Sequence, residues 1–304
     1  MTKKILITGA AGFFGRYMYN YLYNLRNNFD LICTDLIQPA DICYKYFYTI
    51  DLSQSKSVED LIKQIKPDYI IHLAGVFGNK EYQEIYRGNV LSTAVLFEAV
   101  RKYIPGTIMI TTGSAAEYGH ITLQQLPIDE HTNCSPITIY GLTKYFSTQI
   151  SLYYYHIHNI CVMVIRPFQL IGKGVPTHLA PGAFAEQLKE SITVSSKTIK
   201  VGNLESSRDF LDINDAVEAT WMLCQHPAPG EIFNLCSGKP TKMKDLLQLM
   251  IKHCEIDVNI EVDPIRIRGN ADVSTVYGNH QKLSKHCGWE PKRNLAQSIQ
   301  SMFY

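Results

Sequence analysis

The residues with the clearest chemical potential are Tyr140 and Lys144, which stand four positions apart in the run Tyr-Gly-Leu-Thr-Lys. On a helix this spacing puts both side chains on one face, a single turn apart. A phenol normally ionises near pH ~10, and a neighbouring ammonium favours the phenolate and so lowers that pKa. The pair predicts an acid–base tyrosine, although the same spacing also fits an amphipathic helix with a surface lysine.

The overall composition excludes several classes of function. The chain has 304 residues, 46% of them hydrophobic and 19% charged, with a net charge of +1, which is typical of a soluble globular protein. Because there is no basic excess, we expect no nucleic acid or membrane surface as partner. No apolar run approaches the ~20 residues of a membrane span, and the run Ile5–Ile7 is too short for a secretion signal. The eight cysteines form no Cys-x-x-Cys pair, which predicts free thiols in a cytoplasmic protein and no metal site.

A glycine-rich turn near the N-terminus predicts a dinucleotide site. The apolar run Lys4–Thr8 is typical of a buried parallel strand, and it leads through Gly9, Gly12 and Gly15 into a helical pattern. In such a turn the first glycine permits the bend, the second lets the backbone approach a pyrophosphate, and the third lets helix and strand pack. The pyrophosphate would then lie at the positive end of the helix.

Asp35 indicates which dinucleotide is preferred. It ends a second apolar run, Leu31–Thr34, and lies 20 positions beyond Gly15. An acid there accepts hydrogen bonds from both ribose hydroxyls and repels a 2′-phosphate. We therefore expect NAD(H) to be preferred, with NADP(H) as a possible alternative.

The alternation of strand and helix patterns predicts an α/β protein, with a Rossmann-type doubly wound parallel sheet and a smaller α/β C-terminal substrate-binding domain. Six strands are predicted up to position 165, and the catalytic helix precedes the sixth. After Phe168 the regular alternation ends. We predict an NAD-binding domain from residues 1–168 and 209–235, and a substrate domain from residues 169–208 and 236–304.

Several motifs in this order make the chain resemble the extended short-chain dehydrogenase/reductase family along nearly its whole length. The matching residues are Gly9-x-x-Gly12-x-x-Gly15, Asp51-Leu52, His72-Leu73-Ala74, Asn89, Ser114 with Tyr118-Gly119, Tyr140-x-x-x-Lys144, Arg166-Pro167-Phe168 and Arg208-Asp209-Phe210. The resemblance implies that Tyr140 transfers a proton, Lys144 holds the nicotinamide ribose and lowers the pKa of Tyr140, and Ser114 binds the substrate oxygen. It also implies a nucleotide-diphosphate sugar as substrate and a homodimer built on the helices near 84–102 and 138–157.

The predicted site residues fall into three groups, of which the catalytic group is Ser114, Tyr140 and Lys144. The predicted cofactor-binding residues are Gly9, Ala11, Gly12, Phe13, Phe14, Gly15, Asp35, Asp51, Leu52, Leu73, Ala74, Gly75, Asn89, Thr112, Tyr140, Lys144 and Pro167. The predicted substrate-binding residues are Ser114, Gln169, Arg208 and Arg268. Guanidinium groups suit the diphosphate because they match its oxygens bidentately. Gln169 departs from the asparagine usual in the family, which leaves the particular sugar open.

Three reactions are compatible with the resemblance, namely reduction of a 4-keto sugar, 4-epimerisation and 4,6-dehydration. In dehydratases of this family an acidic residue lies two positions before the tyrosine that matches Tyr118, often with a second acidic or polar residue before it. In this chain those two positions are Ala116 and Ala115, and a methyl group exchanges no proton. The neighbouring Glu117 should point elsewhere. The sequence favours a reductase, then an epimerase, then a dehydratase, with a non-catalytic dinucleotide-binding sensor as the alternative from another class.

Overall fold

The computed structural model describes residues 2–25, 29–78, 80–193, 198–267 and 274–304. Within these ranges the chain forms thirteen β-strands and ten α-helices. The strands are β1 (Lys3–Thr8), β2 (Phe29–Asp35), β3 (Tyr46–Thr49), β4 (Tyr69–His72), β5 (Ile108–Thr112), β6 (Val162–Pro167), β7 (Gln169–Ile171), β8 (Thr198–Val201), β9 (Ser207–Asp212), β10 (Ile232–Leu235), β11 (Pro240–Lys242), β12 (Asn259–Val262) and β13 (Thr275–Val276). The helices are α1 (Phe13–Asn24), α2 (Ser55–Ile65), α3 (Tyr82–Tyr86), α4 (Ser92–Tyr103), α5 (Ile139–His158), α6 (Ala180–Thr193), α7 (Ile213–Gln225), α8 (Met243–Cys254), α9 (Gln281–Cys287) and α10 (Leu295–Phe303).

A seven-stranded parallel sheet forms the centre of the molecule, in the order β10-β6-β5-β4-β1-β2-β3. From β1 the chain adds β2 and β3 on one side, and it then adds β4, β5, β6 and β10 on the other side. Cofactors bind beyond the carboxyl ends of the strands at such a reversal point. Six of these strands were predicted from the sequence. The seventh, β10, was not, because it lies beyond Phe168, where the regular alternation of strand and helix patterns ends.

Both faces of this sheet are buried under helices, which confirms the doubly wound prediction. Ile5 and Ile7 of β1 belong to the apolar core that includes α1 and α7. Leu6, between them, belongs to the core on the other face, with residues of α2 and α4. Since neighbouring side chains of a strand point to opposite faces, strands covered on both sides read as continuous apolar runs.

Smaller sheets and a separate apolar core lie in the second half of the chain. β9 pairs with β7, β11 and β13, and β12 pairs in parallel with β8. Phe184 of α6, Leu246 of α8 and Ile299 of α10 are buried in the core that accompanies these sheets. The predicted domain boundaries remain a prediction. β9 crosses the boundary predicted at 208/209 and pairs outside the central sheet.

Three acidic residues make structural contacts. Asp212 caps the N-terminus of α7. Asp209 Oδ1 accepts the N–H of Ser237 at 2.7 Å, and Glu130 Oε1 accepts the N–H of Asn234 at 2.8 Å. None of the helices in the described ranges has both the length and the apolarity needed to cross a membrane.

Candidate active site

The turn between β1 and α1 has the geometry of a phosphate cradle. A Cβ on Gly9, where φ is +69°, would lie 2.6 Å from Ala74 N, and a Cβ on Gly15 would lie 2.1 Å from Gly9 O. Neither position therefore accepts a side chain. A Cβ on Gly12 would meet only Gly9 O, at 3.3 Å, so its other side is open. Because Gly12 immediately precedes α1, the positive end of that helix faces this open side, and the residues fit a pyrophosphate.

Asp35 lies at the end of β2 beside the same turn. Its Oδ2 accepts the N–H of Ala11 at 2.9 Å, and its Oδ1 accepts the N–H of Leu36 at 2.7 Å. The carboxylate is thus held against the glycine-rich turn while remaining partly exposed. This is the position that an adenosine ribose requires.

The other cofactor candidates around this turn have structural contacts as well. The Asp51 carboxylate forms an ion pair with Arg87 Nη2 at 2.6 Å, and Leu52 is buried in the core on the α2 side of the sheet. Phe13 and Phe14 begin α1 and pack against different cores. Their predicted contact with the cofactor remains a prediction.

The end of β4 holds a histidine in a purely structural role. His72 Nδ1 lies 2.7 Å from Thr8 Oγ1, and its Nε2 lies 3.1 Å from Thr93 Oγ1. Burial, with a smaller contribution from the nearby Lys144 charge, lowers the pKa of His72 to about 3. The ring is neutral and packed beside the strand. Its backbone carbonyl accepts a hydrogen bond from Thr112 Oγ1 at 3.1 Å.

Asn89 connects the loop after β4 to α5. It lies in a π-helical turn, Arg87–Leu91, that joins α3 to α4. Its side chain bonds both the N–H and the carbonyl of Val76, at 2.7 and 3.0 Å, and also Thr143 Oγ1 at 2.9 Å. A Cβ on Gly75 would lie 2.9 Å from Asn89 Oδ1 and 3.5 Å from Lys144 Nζ. The loop Leu73–Gly75 therefore borders the lysine directly.

Ser114 occupies a short helical turn at the carboxyl end of β5. It caps the 3₁₀ turn Ala115–Glu117, where its Oγ accepts the N–H of Ala116 at 3.1 Å. Glu117 is completely buried, and its carboxylate is turned toward Arg166 of β6, 2.9 Å away. The sequence argument that Glu117 does not take the place of a dehydratase acid agrees with this contact.

Close backbone packing brings Tyr140 to the Ser114 turn. Thr138 caps α5 by accepting the N–H of Gly141 at 3.0 Å, and Tyr140 lies in the first turn of that helix. A Cβ on Gly141 would lie 2.4 Å from the carbonyl oxygen of Ala116. Only glycine allows this approach. Tyr140 is thereby near enough to Ser114 for the serine to influence the pKa of the phenol.

The electrostatics of Tyr140 differ from the expectation based on spacing. Burial raises the pKa of Tyr140 to about 12, the hydrogen bond with Ser114 opposes this shift, and the Glu117 charge adds to it. The expected lowering by Lys144 is therefore wrong as a net effect. Withdrawing a phenolate from water outweighs the stabilising contacts. At neutral pH the phenol is fully protonated.

Lys144 is 5% exposed, and burial lowers its pKa to about 8, with the Glu117 charge acting in the opposite direction. It forms neither a hydrogen bond nor an ion pair with any residue in the described ranges. The ammonium lies beside the loop Leu73–Gly75, where it is available to a polar ligand. The ribose hydroxyls of a dinucleotide would satisfy it.

The predicted substrate residues are distributed over the small sheet. Gln169 begins β7 and Arg208 lies on β9, where its Nη1 donates to Ser207 O at 2.8 Å. Pro167 ends β6 next to Gln169. Arg268 lies outside the described residues.

Sequence reasoning missed two residues that shape the site. Phe77 makes an edge-to-face contact with the Tyr140 ring, with 4.5 Å between centroids, and also contacts the ring of His178. Gly141 was visible inside the tyrosine–lysine motif, but its partner Ala116 is 25 positions away in the sequence. No local pattern reveals either contact.

Fold and site define an NAD(P)-dependent oxidoreductase with a tyrosine–lysine pair. A family model described as the NAD dependent epimerase/dehydratase family matches residues 5–236. The chain belongs to this family.

Individual relatives are similar along the entire chain. GDP-6-deoxy-D-mannose reductase of Pseudomonas aeruginosa is 28% identical, with 99% of this chain and 96% of the relative covered. A putative UDP-glucose 4-epimerase of Methanocaldococcus jannaschii is 27% identical, with coverages of 97% and 95%. The solved structure of RMD from Pseudomonas aeruginosa complexed with NADPH matches with a TM-score of 0.87 and 27% identity, covering 99% of this chain and 98% of that one.

Proposed function

We propose that the protein is a nucleotide-sugar 4-ketoreductase that reduces C4 of an NDP-4-keto-6-deoxyhexose, similar to GDP-4-keto-6-deoxymannose. The observation that carries this proposal is the meeting of Ser114, Tyr140 and Lys144 beside the glycine cradle, combined with methyl groups at positions 115 and 116. These residues suffice for one proton transfer at one oxygen. They lack the additional acid that dehydration requires.

In the proposed reaction the protein contributes a proton and a fixed set of donors. Bound NADH supplies the hydride. Ser114 Oγ donates a hydrogen bond to the C4 oxygen, and Tyr140 gives its phenolic proton to the alkoxide that develops there. Lys144 binds ribose hydroxyls of the cofactor, and its positive charge stabilises the phenolate that Tyr140 becomes. Donors held in place before the reaction account for most of the rate gain.

The pKa of Tyr140 is compatible with its proposed role as proton donor. A proton donor must be protonated when the substrate binds, and a phenol with a pKa of about 12 meets this condition throughout the neutral range. Arg208 is proposed to bind the diphosphate, with Gln169 facing the sugar.

A 4-epimerase is the second candidate, because the putative UDP-glucose 4-epimerase from Methanocaldococcus jannaschii is nearly as similar in sequence. An epimerase uses the same residues but returns the hydride to the opposite face of the sugar. The two are distinguished by mixing the protein with NADH and a 4-keto-6-deoxy nucleotide sugar and recording absorbance at 340 nm. Stoichiometric loss of NADH supports the reductase. In a second mixture, which contains NAD and a 4-hydroxy nucleotide sugar, interconversion of the two C4 epimers without net formation of NADH supports the epimerase. If neither reaction occurs, the result supports the dinucleotide-binding sensor.

NADH is the proposed cofactor in preference to NADPH, because the Asp35 carboxylate lies against the glycine-rich turn and would repel a 2′-phosphate. The comparison of kcat/KM for the two cofactors tests this. In Asp35→Ser the preference should move toward NADPH, since the repulsion is removed. A wild-type preference for NADPH would contradict the proposal.

A homodimer formed through α5 and the π-helical turn and α4 beside it is part of the proposal. Phe146, Tyr153 and Ile157 of α5 are 39%, 53% and 59% exposed, and Leu91 is 41% exposed. The spacing of the α5 residues puts them on one helical face, where a second copy would cover them. Light scattering should give twice the monomer mass, and Tyr153→Glu should reduce it. A monomeric wild-type protein would refute the dimer.

A cytoplasmic location is likewise proposed. All eight cysteines are free thiols, which suits a reducing compartment. Fractionation of the native cells tests it, and recovery of the protein outside the cytoplasm would contradict it.

A further inference from the structure

Glu117 is a buried carboxylate beside the proposed catalytic serine that the reaction itself does not use. It is 0% exposed. A Cβ on Gly113 would lie 2.2 Å from its Oε1, so the carboxylate covers the backbone that leads from β5 to Ser114. A carboxylate in this environment must be fully bonded, because an unpaired buried charge is strongly unfavourable.

The contacts of Glu117 join three separate elements. Oε1 accepts the N–H of Ser114 at 2.8 Å and the hydroxyl of Thr148 on α5 at 3.0 Å. Oε2 accepts the N–H of Arg166 Nε on β6 at 2.9 Å and forms an ion pair with Arg166 Nη2 at 2.9 Å. One side chain therefore fixes the serine turn relative to both the helix that carries Tyr140 and the neighbouring strand.

Arg166 neutralises the charge of Glu117, and both side chains are buried in the protein. Its side chain is 3% exposed, and its guanidinium lies over the ring of Tyr118, 4.8 Å from the centroid. A buried pair of this kind gives little or no net stability compared with apolar residues of similar volume. A contribution to folding stability therefore does not account for the Glu117–Arg166 pair, whereas the fixed geometry that it imposes does.

We propose that Glu117 is a positioning residue that holds Ser114 through its backbone N–H, so that the serine hydroxyl is aligned with the phenol of Tyr140. This inference rests on the proposed function of Ser114 and Tyr140 in the same reaction. The Glu117 charge also raises the pKa values of both Tyr140 and Lys144. The residue thus acts on the reacting groups without touching the substrate.

A matched pair of double variants separates the positioning role from the charge. Glu117→Gln/Arg166→Gln removes both charges but keeps an oxygen that accepts from Ser114. Glu117→Met/Arg166→Gln has the same charge and a similar volume but no strong acceptor. We expect kcat of the Gln form to stay within about tenfold of wild type, and kcat of the Met form to fall about 100-fold further, since misplacement of a reacting group by ~1 Å costs that much. The KM for NADH should be the same in both.

The control is Asp215→Asn, which alters another completely buried carboxylate that is paired with an arginine, Arg293. Asp215 lies on α7 and contacts Lys292 and Arg293 in the C-terminal region, so these contacts do not involve Ser114 or Tyr140. Any loss of thermal stability common to all the variants can thus be separated from the catalytic effect. Equal kcat values for the Gln and Met forms, measured below both melting temperatures, would overturn the proposal.

A second readout does not depend on turnover. In protein labelled with 3-fluorotyrosine, the ¹⁹F resonance of Tyr140 is assigned by its loss in Tyr140→Phe. It should be displaced in the Met form relative to the Gln form, because the phenol loses its aligned serine partner. If no sugar is reduced but this displacement occurs, the proposed function fails and the positioning role stands. Coincident Tyr140 resonances in the two forms would refute the positioning role.

Discussion

Gly141→Ala tests whether the approach of α5 to the Ser114 turn sets the catalytic geometry. The added Cβ would lie 2.4 Å from Ala116 O, whereas ordinary contact begins at 3.4 Å. Helix or turn must therefore retreat by about 1 Å, because the opposing atom is backbone and cannot rotate away. A displacement of this size between reacting groups costs about 100-fold in rate, equivalent to ~2.7 kcal/mol of transition-state stabilisation.

The stability of Gly141→Ala should change much less than its rate. Overpacking costs ~1–3 kcal/mol, and alanine in a helix recovers ~1 kcal/mol relative to glycine. We expect kcat, measured by NADH absorbance, to fall about 100-fold while the KM for NADH changes less than about threefold. Gly106→Ala is the control, because a Cβ there meets no atom within 4 Å. Wild-type kcat in Gly141→Ala would refute the reasoning.

Three further substitutions test individual groups. Tyr140→Phe should lower kcat by at least about 10³-fold without weakening NADH binding measured by fluorescence; retained turnover would contradict its role as proton donor. Arg208→Ala should raise the KM for the nucleotide sugar about tenfold or more while the melting temperature stays nearly constant. Lys242→Ala serves as a surface control. An unchanged KM in Arg208→Ala would count against a diphosphate contact. Burial lowers the pKa of Lys144 from its ordinary value of 10.5 to about 8 in the folded protein. Between pH 8 and 10.5 the unfolded chain therefore binds more protons than the folded one. The free energy of unfolding rises with pH in this range. Lys144→Met should therefore abolish turnover yet unfold with up to ~3 kcal/mol more free energy at pH 7, an advantage that shrinks between pH 8 and 10.5; equal unfolding free energies at pH 7 would refute this.

The sequence predicted those parts of the fold whose signals are local. The glycine-rich turn, Asp35 and six strands of the central sheet each depend on a short run of residues, and the structure confirms the parallel sheet they imply. β10 was missed because it lies beyond the part of the chain in which strand and helix patterns alternate regularly. Its place at the edge of the sheet depends on pairing with β6, which lies far away in the sequence.

The site was predictable in composition but only partly in geometry. The structure places Ser114 near Tyr140, with Lys144 one turn further along the same helix, yet no motif reveals the contacts that fix them. Glu117 and Arg166 are 49 positions apart, and although Arg166 belongs to the Arg-Pro-Phe motif, nothing in the sequence pairs it with Glu117. Phe77 follows a glycine-rich loop and gives no sign that its ring contacts Tyr140. Side-chain contacts across the fold are invisible to periodicity and spacing.

The pKa of Tyr140 shows why spacing and environment must be considered together. A lysine one turn away favours the phenolate, but Tyr140 is also withdrawn from water, and Lys144 itself is buried enough to lose part of its tendency to stay charged. Burial thus favours the neutral form of both Tyr140 and Lys144. The proton remains on the phenol until a negative charge develops on the substrate oxygen. A tyrosine in this state is suited to giving its proton to the oxygen of a ketone that is being reduced.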